Sequence, residues 1–231
     1  MWSHSPTVSF ARAGSVIWQN IPASTGNLDV EISQFGILPG QSVLYHWATN
    51  RANGATTVAH AGLTPTTTLG VANTGNTVSQ GFVLVHYPLG LSVNTFVTFS
   101  KANFWGPWCT LSAWRFTNVL YIANALALNG NVVANTPVGS GFGFTSGNVF
   151  RPGYKKSIAV FATSVATGTA LTLTGIGNGY TALAQYSNTN LSVTWQARHW
   201  PISLPETKDI VAWAFNASQT DTNFAIIRLV I

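Results

Sequence analysis

The feature that most constrains the fold is a series of short apolar segments that continues along the whole chain. Clusters of Gly, Asn, Pro and Thr separate these segments, and apolar and polar residues often alternate within them, which is the period of a strand. Pro39-Gly40 and the Asn-Gly pairs at 53–54, 129–130 and 178–179 are typical of tight turns. The pattern predicts strands at 15–20, 28–34, 42–49, 56–60, 79–87, 95–101, 114–122, 131–135, 156–164, 170–174, 181–186, 191–198, 209–216 and 223–230.

Many short strands with turn residues between them predict an all-β fold, specifically an antiparallel β-sandwich or jelly roll. Only 118–128, rich in Ala and Leu, favours a short helix. One β-sandwich domain covering 1–231 is the first interpretation. The alternative is two β-subdomains, 1–128 and 154–231, joined by 129–153; the similar segments 15–19 and 192–196 indicate two similar halves that pack together.

The last residues, 224–231, form an apolar segment with no polar tail. An exposed strand of this composition would promote aggregation, so we expect it inside a sheet or paired with another subunit. The preceding apolar segment, 210–215, is expected to form an antiparallel hairpin with it.

Charged side chains are rare: they make up 6% of the chain, against roughly 25% in an ordinary soluble domain. There are five acidic residues, and none lies between Ile32 and Pro205. The formal net charge of +5 therefore reflects missing acids, and the scattered basic residues do not form the clustered face that nucleic-acid binding needs. A neutral polar surface suits a protein whose exterior is largely covered by partners.

The residues that usually perform catalysis do not form a recognisable pattern. Asp29 and Glu31 share one face of a strand, which is a poor arrangement for flanking a glycosidic bond, so they read as a solvent-facing edge with Val30 inward. Cys109 reads as a buried free thiol, because no histidine or basic residue is near it in the sequence. The histidines are widely spaced, although His46 and His86 fall on strands that could be neighbours. We therefore expect no enzymatic activity, no metal and no cofactor.

Exposed tryptophan is the remaining candidate for binding. Trp105 and Trp108 flank Gly106-Pro107, and Trp200 precedes Pro201, so all three are expected near turns. A tryptophan on a rigid turn can stack on a sugar ring or anchor a protein interface. The alternative interpretation is that these turns fold back onto their own core.

The sequence shows no secretory leader at residues 1–6 and no apolar stretch of the roughly 20 residues that a membrane-spanning helix needs. With one cysteine it can form no internal disulfide. These features predict synthesis in a cytoplasm without export and no membrane partner.

The segments 156–163, 171–175, 180–184, 191–195 and 210–215 combine Thr, Gly and apolar residues in short strands. In this they resemble the β-sandwich modules of tailed-bacteriophage virion proteins, namely capsid decoration or cement proteins, tail fibres and tail spikes. The resemblance implies a structural role in the virion, assembly in the host cytoplasm, a homo-oligomer, commonly a trimer, and contacts with other virion proteins such as the major capsid protein. The alternative is a carbohydrate- or receptor-binding module of a tail-fibre tip or a lectin-like protein, with a glycan receptor.

Overall fold

The structure is a computed structural model. It describes the backbone of residues 10–19, 26–50, 58–60, 67–72, 78–89, 96–101, 107–117, 121–132, 155–164, 173–177, 181–187, 191–200, 212–216 and 219–230. It describes side chains at 26–50, 78–89, 98–99, 107–117, 186, 191, 193 and 216.

The described part of the chain is all-β and antiparallel, as the sequence predicts. It contains one 3-10 helix, η1, at Ile32–Phe35 and no α-helix. The strands are β1 Phe10–Gln19, β2 Asn27–Glu31, β3 Gln41–Thr49, β4 Val58–His60, β5 Thr67–Ala72, β6 Ser79–Tyr87, β7 Phe96–Lys101, β8 Trp108–Thr117, β9 Tyr121–Val132, β10 Lys155–Ser164, β11 Leu173–Gly177, β12 Thr181–Ser187, β13 Leu191–Trp200, β14 Ala212–Phe215 and β15 Gln219–Val230.

The strands form two larger sheets and two smaller ones. The larger sheets have five strands each, in the orders β1-β8-β3-β6-β5 and β12-β13-β10-β15-β9. A three-stranded sheet has the order β2-β7-β4, and β11 pairs with β14. Strands β1 to β8 are called the N-terminal set below, and β9 to β15 the C-terminal set.

Both faces of the centre of the first sheet are buried. On one face, side chains of β3, β6 and β8 form the main apolar core with residues from β2, η1, the loop after η1, and β7: Leu28, Val30, Ile32, Phe35, Ile37, Val43, Tyr45, Trp47, Val83, Val85, Tyr87, Phe99, Cys109, Leu111 and Ala113. The other face alternates with it along the strands and buries Leu44, Phe82, Leu84, Trp114 and Phe116 with several polar side chains. Strands buried on two sides need near-continuous apolar sequence, which is what 43–48 and 82–85 provide.

The turn between η1 and β3 depends on glycine. Gly36 ends the 3-10 helix in the left-handed region, at φ 57°, and its N–H donates to the carbonyl of Ser33 at 3.1 Å. The guanidinium of Arg115 on β8 donates to the carbonyl of Gly36. Gly40, at φ 76°, completes the turn predicted at Pro39-Gly40, and its N–H donates to the carbonyl of Tyr87 at 2.8 Å.

The helix expected at 118–128 is wrong, because Tyr121–Val132 is strand β9, paired with β15. Ala and Leu alternate here with period two, and pairing with β15 outweighs the small helix preference of each residue. The turn expected at Asn129-Gly130 is also wrong, since both residues lie within β9, opposite Asn223 and Thr222. A second missed element is β5, which no predicted strand covers.

The apolar C-terminal strand lies within a sheet, as predicted. β15 has β10 on one side and β9 on the other. The predicted hairpin of 210–215 with this strand is wrong, because β14 pairs with β11 instead. Only three residues, 216–218, separate the two strands in the sequence, yet the strands belong to different sheets.

The two sets share one strand order. The order β5-β6-β3-β8-β1 of the first sheet corresponds, strand by strand, to the order β12-β13-β10-β15-β9 of the second. The counterparts follow each other in the same sequence order along the chain, and β4 and β7 correspond to β11 and β14 in the same way. The region between β9 and β10, where a counterpart of β2 would fall, lies outside the described residues. The similar segments 15–19 and 192–196 are not counterparts, since β1 matches β9 and β13 matches β6.

The pairing register is shared as well. Gln41, the first residue of β3, lies opposite Tyr87 and Thr117; Lys155, the first residue of β10, lies opposite Trp200 and Val230. These partners are the last residues of β6, β8, β13 and β15. Similarly, Thr67 opposes Leu84 in the first sheet and Thr181 opposes Ala197 in the second. Order and register together define which residue of one set corresponds to which residue of the other.

Candidate functional site

Two loops meet at one end of the first sheet and expose apolar side chains there. Hydrogen bonds hold the loop before β3: the N–H of Leu38 donates to Gln41 Oε1 at 2.9 Å, and the N–H of Gln41 returns to the carbonyl of Leu38 at 3.2 Å. Gly40 ties this loop to Tyr87, just before the second loop begins. Leu38 is 59% exposed and Leu89 is 89% exposed.

Pro39 and Pro88 are exposed beside these two leucines, and the four residues are called the end patch below. Single exposed apolar residues are ordinary, but here two loops present them at the same end of one sheet. His86, also exposed, lies next to this end and its Nδ1 is 3.1 Å from Ser42 Oγ. The end patch carries no charge, which suits contact with another protein surface better than binding of an ionic ligand.

Two pairs of polar side chains inside the first sheet are hydrogen-bonded to each other. His46 Nε2 lies 2.7 Å from Gln80 Oε1, and burial lowers the pKa of His46 from 6.5 to about 3, although the hydrogen bond to Gln80 acts in the opposite direction. The hydroxyls of Tyr45 and Tyr87 are 2.6 Å apart. Burial raises the pKa of both tyrosines, and for Tyr45 the contact with Tyr87 raises it further. These groups are neutral at physiological pH and stabilise the core.

The predicted acidic face lies on the edge strand β2. Asp29 is exposed and Val30 is buried, in agreement with the alternation in the sequence. Thr98 Oγ1 donates to Asp29 Oδ1 at 2.5 Å, and Ser33 Oγ donates to Glu31 Oε1 at 2.9 Å. Each carboxylate thus accepts a hydrogen bond from a neighbouring hydroxyl group, and these bonds hold the edge strand of the small sheet in place.

Cysteine and histidine were the other candidates for chemistry. Cys109 is a buried free thiol, as expected, with Sγ 3.8 Å from the carbonyl of Thr110. His46 and His86 do lie on paired strands, but they oppose Phe82 and Ser42 instead of each other. Within the described residues, no group of three His, Cys, Asp or Glu side chains is placed to hold a metal ion.

The three candidate binding tryptophans have different outcomes. Trp108 begins β8 and is half-buried; its backbone N–H donates to Asn50 Oδ1 at 3.0 Å, and its backbone carbonyl accepts from Thr49 Oγ1 at 3.0 Å. Trp105 lies outside the described residues. Trp200 ends β13, and its side chain lies outside the described part. A binding role for Trp105, Trp108 and Trp200 stays a prediction.

Corresponding residues of the two sets include short sequence repeats. His86-Tyr87-Pro88 at the end of β6 corresponds to His199-Trp200-Pro201 at the end of β13. Arg115 on β8 corresponds to Arg228 on β15. A Pro-Gly pair also lies before β3 and before its counterpart β10, directly before β3 at Pro39-Gly40 and one residue further from β10 at Pro152-Gly153. The residues around the end patch are therefore the most clearly repeated part of the sequence.

Comparison with known proteins gives no relative, since no family model, no curated protein and no solved structure matches this chain. None of the described helical segments has the length and apolar character needed to cross a membrane.

Proposed function

We propose that this chain is a non-enzymatic structural protein of a virus particle that acts through contacts between subunits. The observation that carries the proposal is the repetition of one antiparallel strand order and register in a chain with 6% charged residues. A duplicated β-domain with so few charged residues suits a subunit that is surrounded by neighbours. Partners are other virion proteins, including the major capsid protein, and further copies of the chain.

The finer fold that we propose is a pair of jelly rolls. A jelly roll places its first, eighth, third and sixth strands in one sheet and its second, seventh, fourth and fifth in the other. The N-terminal set has the orders β1-β8-β3-β6 and β2-β7-β4, with β5 joined to its hairpin partner β6. Viral capsid proteins and lectins use this fold widely. The strand order supports a jelly-roll fold, but a fold does not determine function, so the choice between a capsid protein and a lectin depends on which residues the surface presents for binding.

The proposed domains follow the sheets. The first comprises residues 10–117 and the second residues 121–230, because β9 pairs with β15 and so belongs with the later strands. This division differs from the sequence-based alternative, in which 129–153 joined the two parts. Each proposed domain is a β-sandwich of ordinary size for its fold.

The end patch supports binding to a protein surface. Leu38 and Leu89 are large and exposed, so covering them with an apolar surface releases water and stabilises the complex. A decoration or cement subunit works in this way: it binds only the assembled shell and therefore stabilises it by mass action. A subunit that forms the shell itself would use the same kind of contact.

The test is the assembly of the purified chain, followed by sedimentation velocity and negative-stain imaging over a range of concentrations. We expect regular oligomers or shells, which weaken in Leu38→Asp and Leu89→Asp. Asn216→Asp, which adds the same charge at an exposed position after β14, is the control and should assemble normally. A parent chain that stays monomeric at every concentration and does not bind virus shells would contradict the proposal.

A carbohydrate- or receptor-binding module is the alternative function. Its one supporting observation is that Asn50 and Thr49 fix the backbone of the half-buried Trp108. This role requires binding on a glycan array and loss of that binding in Trp108→Ala.

A further inference from the structure

Each larger sheet ends in two terminal strands, which have a described partner on one side only. These are β1 and β5 in the first sheet and β12 and β9 in the second. Terminal strands expose a row of backbone N–H and C=O groups and are the usual places where sheets meet other sheets. Their arrangement decides how the two sets can contact each other and further copies.

Two of the four terminal strands already approach each other within the chain. β5 and its neighbour β6 lie close to β9 and its neighbour β15. No comparable approach joins β12 or β13 to β1 or β8 among the described strands. The contact is therefore not reciprocal between the two sets, as it would be if a twofold axis related them.

The shared strand order identifies which strands of the two sets correspond to those that meet. β5 corresponds to β12 and β6 to β13, whereas β9 corresponds to β1 and β15 to β8. The contact thus joins the β5-type end of one set to the β1-type end of the other. The β12 end of the C-terminal set and the β1 end of the N-terminal set occupy the corresponding positions and make no such contact among the described strands.

We propose that copies of this chain join head to tail, with β12 and β13 of one copy against β1 and β8 of the next. The contact between copies repeats the contact of β5 and β6 with β9 and β15 inside each copy. A contact between two different surfaces propagates: it closes into a ring when the rotation permits and otherwise forms a filament. The occupant of both outer surfaces is a second copy of this chain.

This inference goes beyond the proposed function, because it concerns the contact between copies in any assembly. Its basis is that the strands corresponding to the two that meet inside the chain are terminal in both sheets and have no second partner among the described strands. Register gives the matching positions: Thr68 opposes Val83 on β6, and Ala182 opposes Gln196 on β13.

Disulfide cross-linking tests the contact, with Cys109 as a buried background thiol in the parent chain. A reference series places Thr68→Cys on β5 with one cysteine on β9, at Ala125, Ala127 or Asn129. Their register counterparts on β1 are Arg12, Ser15 and Ile17. The reference pair that closes an intrachain disulfide selects the test pair, which is Ala182→Cys with the matching β1 position.

The decisive experiment puts the two test cysteines on separate chains. With Ala127 as the reference position, one chain carries Ala182→Cys and the other carries Ser15→Cys. After mild oxidation we expect a covalent dimer in the mixture and monomer from each chain alone, because a head-to-tail contact never brings identical positions together. The chain that carries both cysteines should give a ladder that stops at the ring size or continues in a filament.

Three results would overturn the inference: no intrachain disulfide in the reference series, dimers from a single-cysteine chain alone, or no dimer in the mixture. Its failure is separate from that of the proposed function. Cross-linked oligomers without any association with a shell would retain the head-to-tail contact and remove the virion role. Shells without the mixed dimer would do the opposite.

Discussion

The hydroxyl groups of Tyr45 and Tyr87 form a pair in the middle of the main core, 2.6 Å apart. Both rings are fully buried, and Tyr45 also packs edge-on against Phe99, with ring centroids 5.2 Å apart. Phenylalanine keeps this packing and removes only the hydroxyl. A single substitution therefore leaves the remaining hydroxyl without this partner in an apolar setting, where polar groups are costly.

We expect Tyr45→Phe and Tyr87→Phe each to lower the free energy of unfolding by about 1 to 2 kcal/mol. The double variant should lose less than the sum of the two, because it removes both polar groups together. Urea unfolding of the four proteins, followed by tryptophan fluorescence, gives the coupling energy directly. Additive losses would show that the two hydroxyls do not stabilise the fold as a pair.

At the residue scale, sequence reasoning predicted positions better than partners. The burial of Val30 and the exposure of Asp29 follow from strand alternation, which is a local property, and the burial of Cys109 was expected from the usual environment of a free cysteine. The pairing of His46 with Gln80 and of Tyr45 with Tyr87 depends on the register of β3 against β6. That register joins residues about forty positions apart and is set by the turns and by core packing, so no local pattern revealed it.

At the element scale, the link between η1 and β3 is the best-defined turn. Gly36 and Gly40 both have positive φ, so alanine is strained at either position. They differ in their surroundings: a Cβ on Gly36 would lie 3.2 Å from Arg115 Nη1, whereas a Cβ on Gly40 would meet nothing within 4 Å. Comparing alanine at the two positions therefore distinguishes the effect of backbone strain from the effect of losing the Arg115 contact.

We expect Gly40→Ala to lower the free energy of unfolding by about 1 kcal/mol, from backbone strain alone. Gly36→Ala should lose about 1 kcal/mol more, since it also displaces the guanidinium of Arg115 from the Gly36 carbonyl. In the Arg115→Met background the two alanine variants should become alike. Thermal unfolding monitored by circular dichroism measures the losses, and equal losses in the parent background would refute a role for Arg115 in this turn.

Strands were easier to predict than their pairing. Most predicted segments coincide with strands, because period-two alternation and turn residues are local. The helix at 118–128 failed because Ala and Leu favour a helix only when no sheet partner competes, and β15 is such a partner. The hairpin of 210–215 with the last strand failed because neighbours in sequence are usually, but not always, neighbours in a sheet.

At the scale of the whole molecule, duplication is the main feature that the sequence concealed. Two similar halves were expected from segments 15–19 and 192–196, whereas the strand order matches β1 with β9 and β6 with β13. The correct repeats, such as His86-Tyr87-Pro88 with His199-Trp200-Pro201, are short and separated by dissimilar strands. Strand order and register tolerate such divergence, since they depend on the apolar pattern rather than on residue identity.

The scarcity of acids also changes how the whole molecule should respond to low pH. Acid unfolding usually follows the protonation of many carboxylates that are paired in the folded state. This chain has five acidic residues, so that source is small. Among the described residues, His46 is the buried group whose pKa lies furthest below its ordinary value, and it should contribute a large share of the response.

His46 remains neutral in the folded chain down to a pKa of about 3, whereas in the unfolded chain it binds a proton at its ordinary pKa of 6.5. Between these values the unfolded state carries more protons, so stability is complete above about pH 6.5 and falls by up to about 1.4 kcal/mol per pH unit below it. His46→Gln should be less stable at pH 7 but lose less stability between pH 6.5 and 4. His86→Gln, which changes an exposed histidine of the same sheet, is the control. Urea midpoints measured across this range at a fixed protein concentration test it, and equal slopes for His46→Gln and the parent would assign the acid response to other groups.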